Sequence, residues 1–361
     1  MKRLTAVSLF SGCGGSDLGA KQAGVDVIMA NDNFAPAAET YRTFRKVIAS
    51  EDVDFRDCDV KDIKTFPKAD LLLGCYPCQS WTMGGHRDPG SDKRTLLYQE
   101  FARCLKQTNP MFFVAENVAG LQWLSHGHYL SQQLDTFSGA GKGYRISVKL
   151  LSAKDYGVPA ARRRLFMVGV RKDMLAWYHF PKPTYGPLSR DRKPYRSHGQ
   201  ALAGMALDAA KETYNEGREP FSWWFMSRNR KRPWIEPAFT VLANWRHVTL
   251  HPASPTMRLV SSDWRNGSKQ TWEFTDEYDV PEGHEHLDEP RRLSWRECSI
   301  LQTFPKTFEP SGTVEAKYWQ IGNAVPPLLM RRIVSGLVSG KALTDRKPDY
   351  GIGSRIRQRA A

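Results

Sequence analysis

Residues 4–10, Leu-Thr-Ala-Val-Ser-Leu-Phe, run with almost no polar interruption into Ser-Gly-Cys-Gly-Gly. A short apolar run stopped by glycines, with a helical pattern beyond, suits a strand buried on both faces. The pattern recurs. Val25–Ala30, Asp70–Gly74, Met111–Ala115, Tyr144–Leu151 and Leu165–Val170 read as strands. Asp17–Gln22, Pro36–Phe44 and Leu96–Gln107 read as helices between them. This alternation predicts an α/β fold with a doubly wound, mostly parallel sheet. Chemistry in such folds collects at the carboxyl edge of the strands.

Near Phe180-Pro181-Lys182-Pro183 the texture changes. Prolines, tryptophans and basic residues replace the alternation until about Asp288, which predicts a smaller inserted domain over 181–317. Helical periodicity returns at Ser294–Leu301 and Pro326–Val338. The first domain is therefore expected over 1–180, completed by 318–340, with 341–361 as a basic tail.

The 361 residues carry a net charge of +14. That excess suits a partner rich in phosphate. It is concentrated between Lys182 and Gln270, interleaved with Trp223, Trp224, Trp234, Trp245 and Trp264, and then turns acidic from Glu273 to Glu289. A basic, Trp-rich segment fits a nucleic-acid surface. The competing reading is that several of the tryptophans build a small core. No apolar run reaches the roughly 18 residues that span a bilayer. The apolar start breaks too early for a signal peptide. A cytoplasmic location and a monomer are expected. The six cysteines lack the spacing of a disulfide scaffold or a zinc site, so no metal is expected.

Four motifs carry chemistry. Glycines in Gly12-Cys13-Gly14-Gly15 allow a ligand close to the backbone, and Asp32, twenty positions on, is placed to accept ribose hydroxyls. Asp17 takes the third glycine position of the dinucleotide fingerprint, which favours a nucleoside cofactor without a pyrophosphate. Leu71-Leu72-Leu73 leads into Gly74-Cys75-Tyr76-Pro77-Cys78-Gln79, placing thiols at the sheet edge. A thiolate nucleophile is one reading and a Cys-x-x-Cys redox pair the other. Glu116-Asn117 ends another strand, where a buried carboxyl group can serve as an acid. In Arg162-Arg163-Arg164, an extended backbone would put Arg162 and Arg164 on one face.

Taken together these segments resemble the cytosine-5 DNA methyltransferase family. Phe10-Ser-Gly-Cys-Gly-Gly resembles its first cofactor motif, Pro77-Cys78-Gln79 its nucleophile motif and Glu116-Asn117-Val118 its Glu-Asn-Val motif. Arg162-Arg163-Arg164 resembles its Arg-x-Arg motif, the stretch from Arg292 to Pro305 its ninth motif, and the stretch from Gln320 to Pro327 its closing motif. All six stand in family order. Tyr76 replaces the usual Pro or Phe, and Ala160 replaces a usual Gln.

The resemblance implies methyl transfer from S-adenosylmethionine to carbon 5 of a flipped-out cytosine in double-stranded DNA. Cys78 would be the nucleophile, with Glu116, Arg162 and Arg164 completing the catalytic set. Phe10, Ser11, Gly12, Gly14, Gly15, Leu18, Asp32, Asp59, Val60 and Asn323 would hold the cofactor. The inserted domain would be the target-recognition domain. Arg87 and Arg94, after the nucleophile, and Asn244 and Arg246, in the insert, are the candidate DNA contacts. A solitary modification enzyme and the partner of a cognate restriction endonuclease both fit. The rivals are a tRNA cytosine-5 methyltransferase and an inactive DNA-binding regulator.

Overall fold

The computed structural model describes residues 3–77, 96–187, 190–209, 212–213, 221–263 and 269–349. The chain divides into two units. The first comprises Met1–Ser152, Arg163–Lys182 and Val325–Ala361, and the second Ala153–Arg162 and Pro183–Ala324.

The first unit is built on a seven-stranded sheet. Its strands are β1 (Leu4–Leu9), β2 (Val25–Asn31), β3 (Asp54–Arg56), β4 (Leu71–Gly74), β5 (Phe112–Val118), β6 (Tyr144–Ser152) and β7 (Arg163–Arg171). They lie in the order β3-β2-β1-β4-β5-β7-β6. The pairs from β3 to β5 are parallel, while β7 runs antiparallel between β5 and β6. The mostly parallel sheet expected from the alternation is thus observed. Its helices are α1 (Gly15–Gln22), α2 (Ala35–Ile48), α3 (Tyr98–Thr108) and α4 (His128–Ser138).

The core on one face of this sheet is aromatic. Phe101, Phe113 and Phe137 are fully buried, with ring centroids 5.2 to 5.7 Å apart in edge-on arrangements. Such geometry lets the positive ring edge meet the negative face. Tyr76 joins the cluster, 5.9 Å from Phe101 and 6.3 Å from Phe137, and its hydroxyl donates to Gln133 Oε1 at 2.6 Å. The departure from Pro or Phe at this position is therefore accommodated by packing and a buried hydrogen bond.

The second unit holds α5 (His198–Leu202), α6 (Trp295–Leu301), α7 (Val314–Asn323) and an antiparallel hairpin of Met257–Asp263 with Lys269–Phe274. Ser294 and Glu297 cap α6 reciprocally, which satisfies two of its orphan N–H groups. The final helix, α8 (Pro327–Val338), returns to the first unit and packs on α1. A side chain at Gly19 of α1 would meet the Pro327 carbonyl oxygen at 2.5 Å and Met330 Cβ at 2.7 Å, so glycine permits the close crossing. Among the described residues, no helix is long and apolar enough to cross a membrane.

Candidate active site

Three left-handed residues, Phe10, Gly12 and Gly14 (φ 57°, 54° and 81°), turn the chain from β1 into α1. The turn is tied to the neighbouring strand end. Ser11 N–H donates to the Asn31 carbonyl at 2.9 Å, and Gly12 N–H donates to Asp32 Oδ2 at 2.8 Å. Asp32 Oδ1 accepts from Phe34 N–H at 2.9 Å. Burial raises the Asp32 pKa, while the Phe34 and Gly12 N–H groups oppose the rise. The Asn31 side chain reaches one strand further, donating to the carbonyls of Arg56 and Cys58 at 2.8 and 2.9 Å. Asp59 follows and caps a short turn by accepting from Lys61 N–H at 3.0 Å, with Val60 buried beneath. The carboxyl ends of β1, β2 and β3 thus bring Gly12, Asp32, Asp59 and Val60 into one linked edge. Ser11 and Leu18 are buried, and Gly15 opens α1. A side chain at Gly12 would meet nothing within 4 Å, so its surface is open.

Under the turn lies a network not expected from the sequence. Asp17 is fully buried and accepts from Ser8 Oγ at 2.6 Å and Tyr41 Oη at 2.8 Å. Burial pushes its pKa up to about 6, against the lowering effect of hydrogen bonds from Ser8, Tyr41 and Ser11. The available signal was a serine among the inward apolar residues of β1, paired with an acid in the first turn of α1.

Glu116 and Arg164 meet within the first unit. Arg164 Nε lies 2.9 Å from Glu116 Oε1, with both side chains largely buried. In the β5–β7 ladder Glu116 stands opposite Phe166, so Arg164, two residues away, falls on the same face. Burial lowers the Arg164 pKa, and the charges of Glu116 and Cys75 oppose the change. Cys75 Sγ also lies 3.5 Å from Ser16 Oγ, linking the end of β4 to the first turn of α1. Cys78, Arg87 and Arg94 lie outside the described residues.

Arg162 is placed differently. Its peptide N–H bonds the carbonyl of Ala160 at 2.9 Å, so the backbone is folded rather than extended before β7. The alternation that would align it with Arg164 stops there. The Arg162 side chain is 1% exposed and belongs to the second unit, where it donates to the carbonyls of Val241, Gly322 and Asn323. Ala160, at the usual glutamine position, is fully buried and bridges Ala238.

In the second unit, Asn244 accepts from Arg246 N–H at 3.0 Å and caps the turn Trp245–His247. Arg246 is exposed, with its guanidinium 4.9 Å from the Trp245 ring centroid. Asn323 is exposed at the end of α7. The tryptophans divide between the two readings: Trp234 is 6% exposed and Trp223 76%. So do the cations. Arg230 and Lys231 are buried, and Lys231 pairs with Asp279 at 2.5 Å. His247 stacks on Trp224 at 4.5 Å. Burial lowers its pKa, and Arg230, Arg228, Arg246 and Arg292 lower it further, marking a strongly positive region.

The family model for C-5 cytosine-specific DNA methylase matches residues 4–339. The chain is 35% identical to the type II methyltransferase M.BsuRI of Bacillus subtilis, over 93% of this chain and 80% of that protein. It is 36% identical to the type II methyltransferase M.FnuDI of Fusobacterium nucleatum, over 98% of both. Among solved structures, S. pombe Dnmt2 methyltransferase is similar with a TM-score of 0.61 at 15% identity, covering 94% of this chain and 99% of that one, a likeness of fold. The chain therefore belongs to the C-5 cytosine-specific DNA methylase family and is an enzyme of that family, a DNA cytosine-5 methyltransferase.

Proposed function

We propose that this enzyme transfers a methyl group from S-adenosylmethionine to carbon 5 of a cytosine flipped out of a specific duplex DNA sequence. The flip is required because the ring atoms are inaccessible within the stack. The observation that carries the reading is the buried Glu116–Arg164 pair, with Glu116 on the strand that pairs with β4, whose end leads in sequence to Cys75-Tyr76-Pro77.

The residues at the glycine turn fit the donor. The Asp32 carboxylate is fixed by two N–H groups beside the open face of Gly12, as a ribose would need. Phe10, Ser11, Gly14, Gly15 and Leu18 shape that turn and Asp59 and Val60 flank it, while Asn323 is proposed as a cofactor contact on the family pattern alone. S-adenosylmethionine supplies an electrophilic methyl group on sulfur.

In the proposed chemistry the Cys78 thiolate adds to carbon 6 of the ring. The displaced electron pair is drawn toward ring nitrogen 3, where the protonated Glu116 carboxyl group donates its hydrogen and so neutralises the developing negative charge, recovering that proton when the ring is restored. Arg164 holds both Glu116 and the base carbonyl oxygen. Carbon 5, now nucleophilic, accepts the methyl group. Loss of the carbon-5 proton to water returns electrons to the ring and expels the thiolate, restoring Cys78. Arg162 has no part in this scheme, since its guanidinium is committed to backbone carbonyls. Arg87, Arg94, Asn244 and Arg246 are proposed DNA contacts, with Asn244 limited by its capping bond. The names of the relatives support a type II restriction-modification setting.

Methyl transfer to duplex DNA by Cys78→Ala and Cys75→Ala variants tests the assignment. Cys78→Ala is expected to lose transfer and keep donor binding, while Cys75→Ala keeps most activity. Equal loss in both would restore the redox-pair reading.

A further inference from the structure

Arg162 is among the largest fully buried side chains, and its bonds define a junction inside the second unit. Nη1 donates to the Gly322 carbonyl at 2.8 Å and to the Val241 carbonyl at 3.3 Å, and Nη2 donates to the Asn323 carbonyl at 3.3 Å. Gly322 and Asn323 are the last residues of α7, where carbonyls lack intrahelical partners and the dipole favours a cation. Gln302 Nε2 serves the same helix end, donating to the Ile321 and Ala324 carbonyls at 3.0 and 3.4 Å. Four consecutive carbonyls are thus held by two side chains.

The other side of the junction is the segment that carries the candidate base contacts. Ala238 N–H donates to Pro159 O at 2.9 Å, Ala161 N–H to Ala238 O at 2.8 Å, and Thr240 Oγ1 to Ala161 O at 2.8 Å. This ladder delivers Val241 to the guanidinium. Two residues later, Ala243 lies so close to Gly322 that any side chain there would collide with the backbone of Leu242 and Ala243. Asn244 follows at once and caps the turn bearing Trp245, Arg246 and His247.

We propose that Arg162 is a positioning residue for target recognition. It clamps the segment entering the Asn244–His247 turn onto the end of α7, and so governs how duplex DNA is held and selected, not the methyl-transfer step. The proposal rests on the reading that this turn contacts DNA. Planar, forked donors suit several carbonyls at once, and a lysine can satisfy only part of that set.

The test compares wild type, Arg162→Lys and Gly322→Ala in three assays: single-turnover methylation at saturating donor and DNA, the steady-state DNA KM, and site preference on a randomised duplex library. Circular dichroism melts accompany each variant. Both variants are expected to raise the DNA KM at least tenfold and relax site preference, with single-turnover rates within threefold of wild type. A hundredfold slower single turnover at unchanged DNA KM would make Arg162 a catalytic group and overturn the proposal. Unchanged behaviour in both variants, or loss of folding in both, would also overturn it. If only one variant fails to fold, the other decides. Wild-type methylation without any site preference would instead sink the reading beneath it.

Discussion

Glu116 and Arg164 meet because β5 and β7 are antiparallel and their register puts the two side chains on one face. Each is shielded from water, where a charge-assisted contact is stronger than at a surface. Glu116→Gln keeps a hydrogen-bond donor for ring nitrogen 3 but cannot hold a proton there. It is expected to slow single-turnover transfer by about 10²-fold, with DNA site preference unchanged. A changed site preference would mean that Glu116 reads sequence. The glycine turn was legible because it follows a strand directly, and Glu116 because it stands near the end of one, inside β5 rather than just beyond it as the sequence pattern suggested. The Arg162 assignment was not. Its partners stand 79, 160 and 161 residues away, and side-chain parity fails where the backbone folds between Ala160 and Arg162.

At the scale of elements, legibility followed length and apolar content. β1, β2 and β4 were found to within a residue, because each is a short apolar run bounded by turn residues. β3 has three residues, Asp54-Phe55-Arg56, too few and too polar for a pattern to register. α4 and α7 were also missed: the first is rich in Gln, Ser and Thr, and the second ends in residues read only as a motif. The crossing of α1 and α8 depends on Gly19, which in the sequence is simply a residue of the expected helix Asp17–Gln22. Gly19→Ala forces the Pro327 carbonyl or Met330 aside, and is expected to cost about 1–3 kcal/mol of stability. Urea titration of variant and wild type measures the difference. A value near zero would show that the helices separate freely.

For the molecule as a whole, the second unit concentrates buried titratable groups that oppose acidification. His198 is pushed down to about 4 by burial, although its Nδ1 donates to the Glu236 carbonyl at 2.7 Å. His251 is likewise pushed down to about 4 by burial, although Glu297 draws it upward. Its Nδ1 accepts from Ala253 N–H at 3.1 Å, which leaves Nε2–H to face Glu297 at 3.4 Å as a neutral imidazole. Burial alone would raise the Glu297 pKa, but Arg291, His251 and the Ser294 N–H together hold it below the usual range. Both histidines bind protons more weakly folded than unfolded, so stability falls as pH drops from about 6.5 to about 4. The limit is about 3 kcal/mol for each. Glu297 acts in the same direction, since its contribution is present above the unfolded carboxylate pKa and is lost as pH falls through the depressed folded value. Thermal melts between pH 7 and pH 4 are expected to show a falling midpoint, with the decline reduced in His198→Gln. A midpoint independent of pH would contradict the burial of these groups.

The central claim is a covalent step at Cys78 followed by removal of a proton from carbon 5. A duplex carrying 5-fluorocytosine isolates that step, because fluorine at carbon 5 cannot leave as a proton does. With S-adenosylmethionine present, the enzyme is expected to stall as a one-to-one covalent complex. Mass spectrometry of its digest is expected to place the methylated fluorocytosine on the peptide bearing Cys78. Turnover without any trapped complex, or a trapped base on Cys75, would contradict the account.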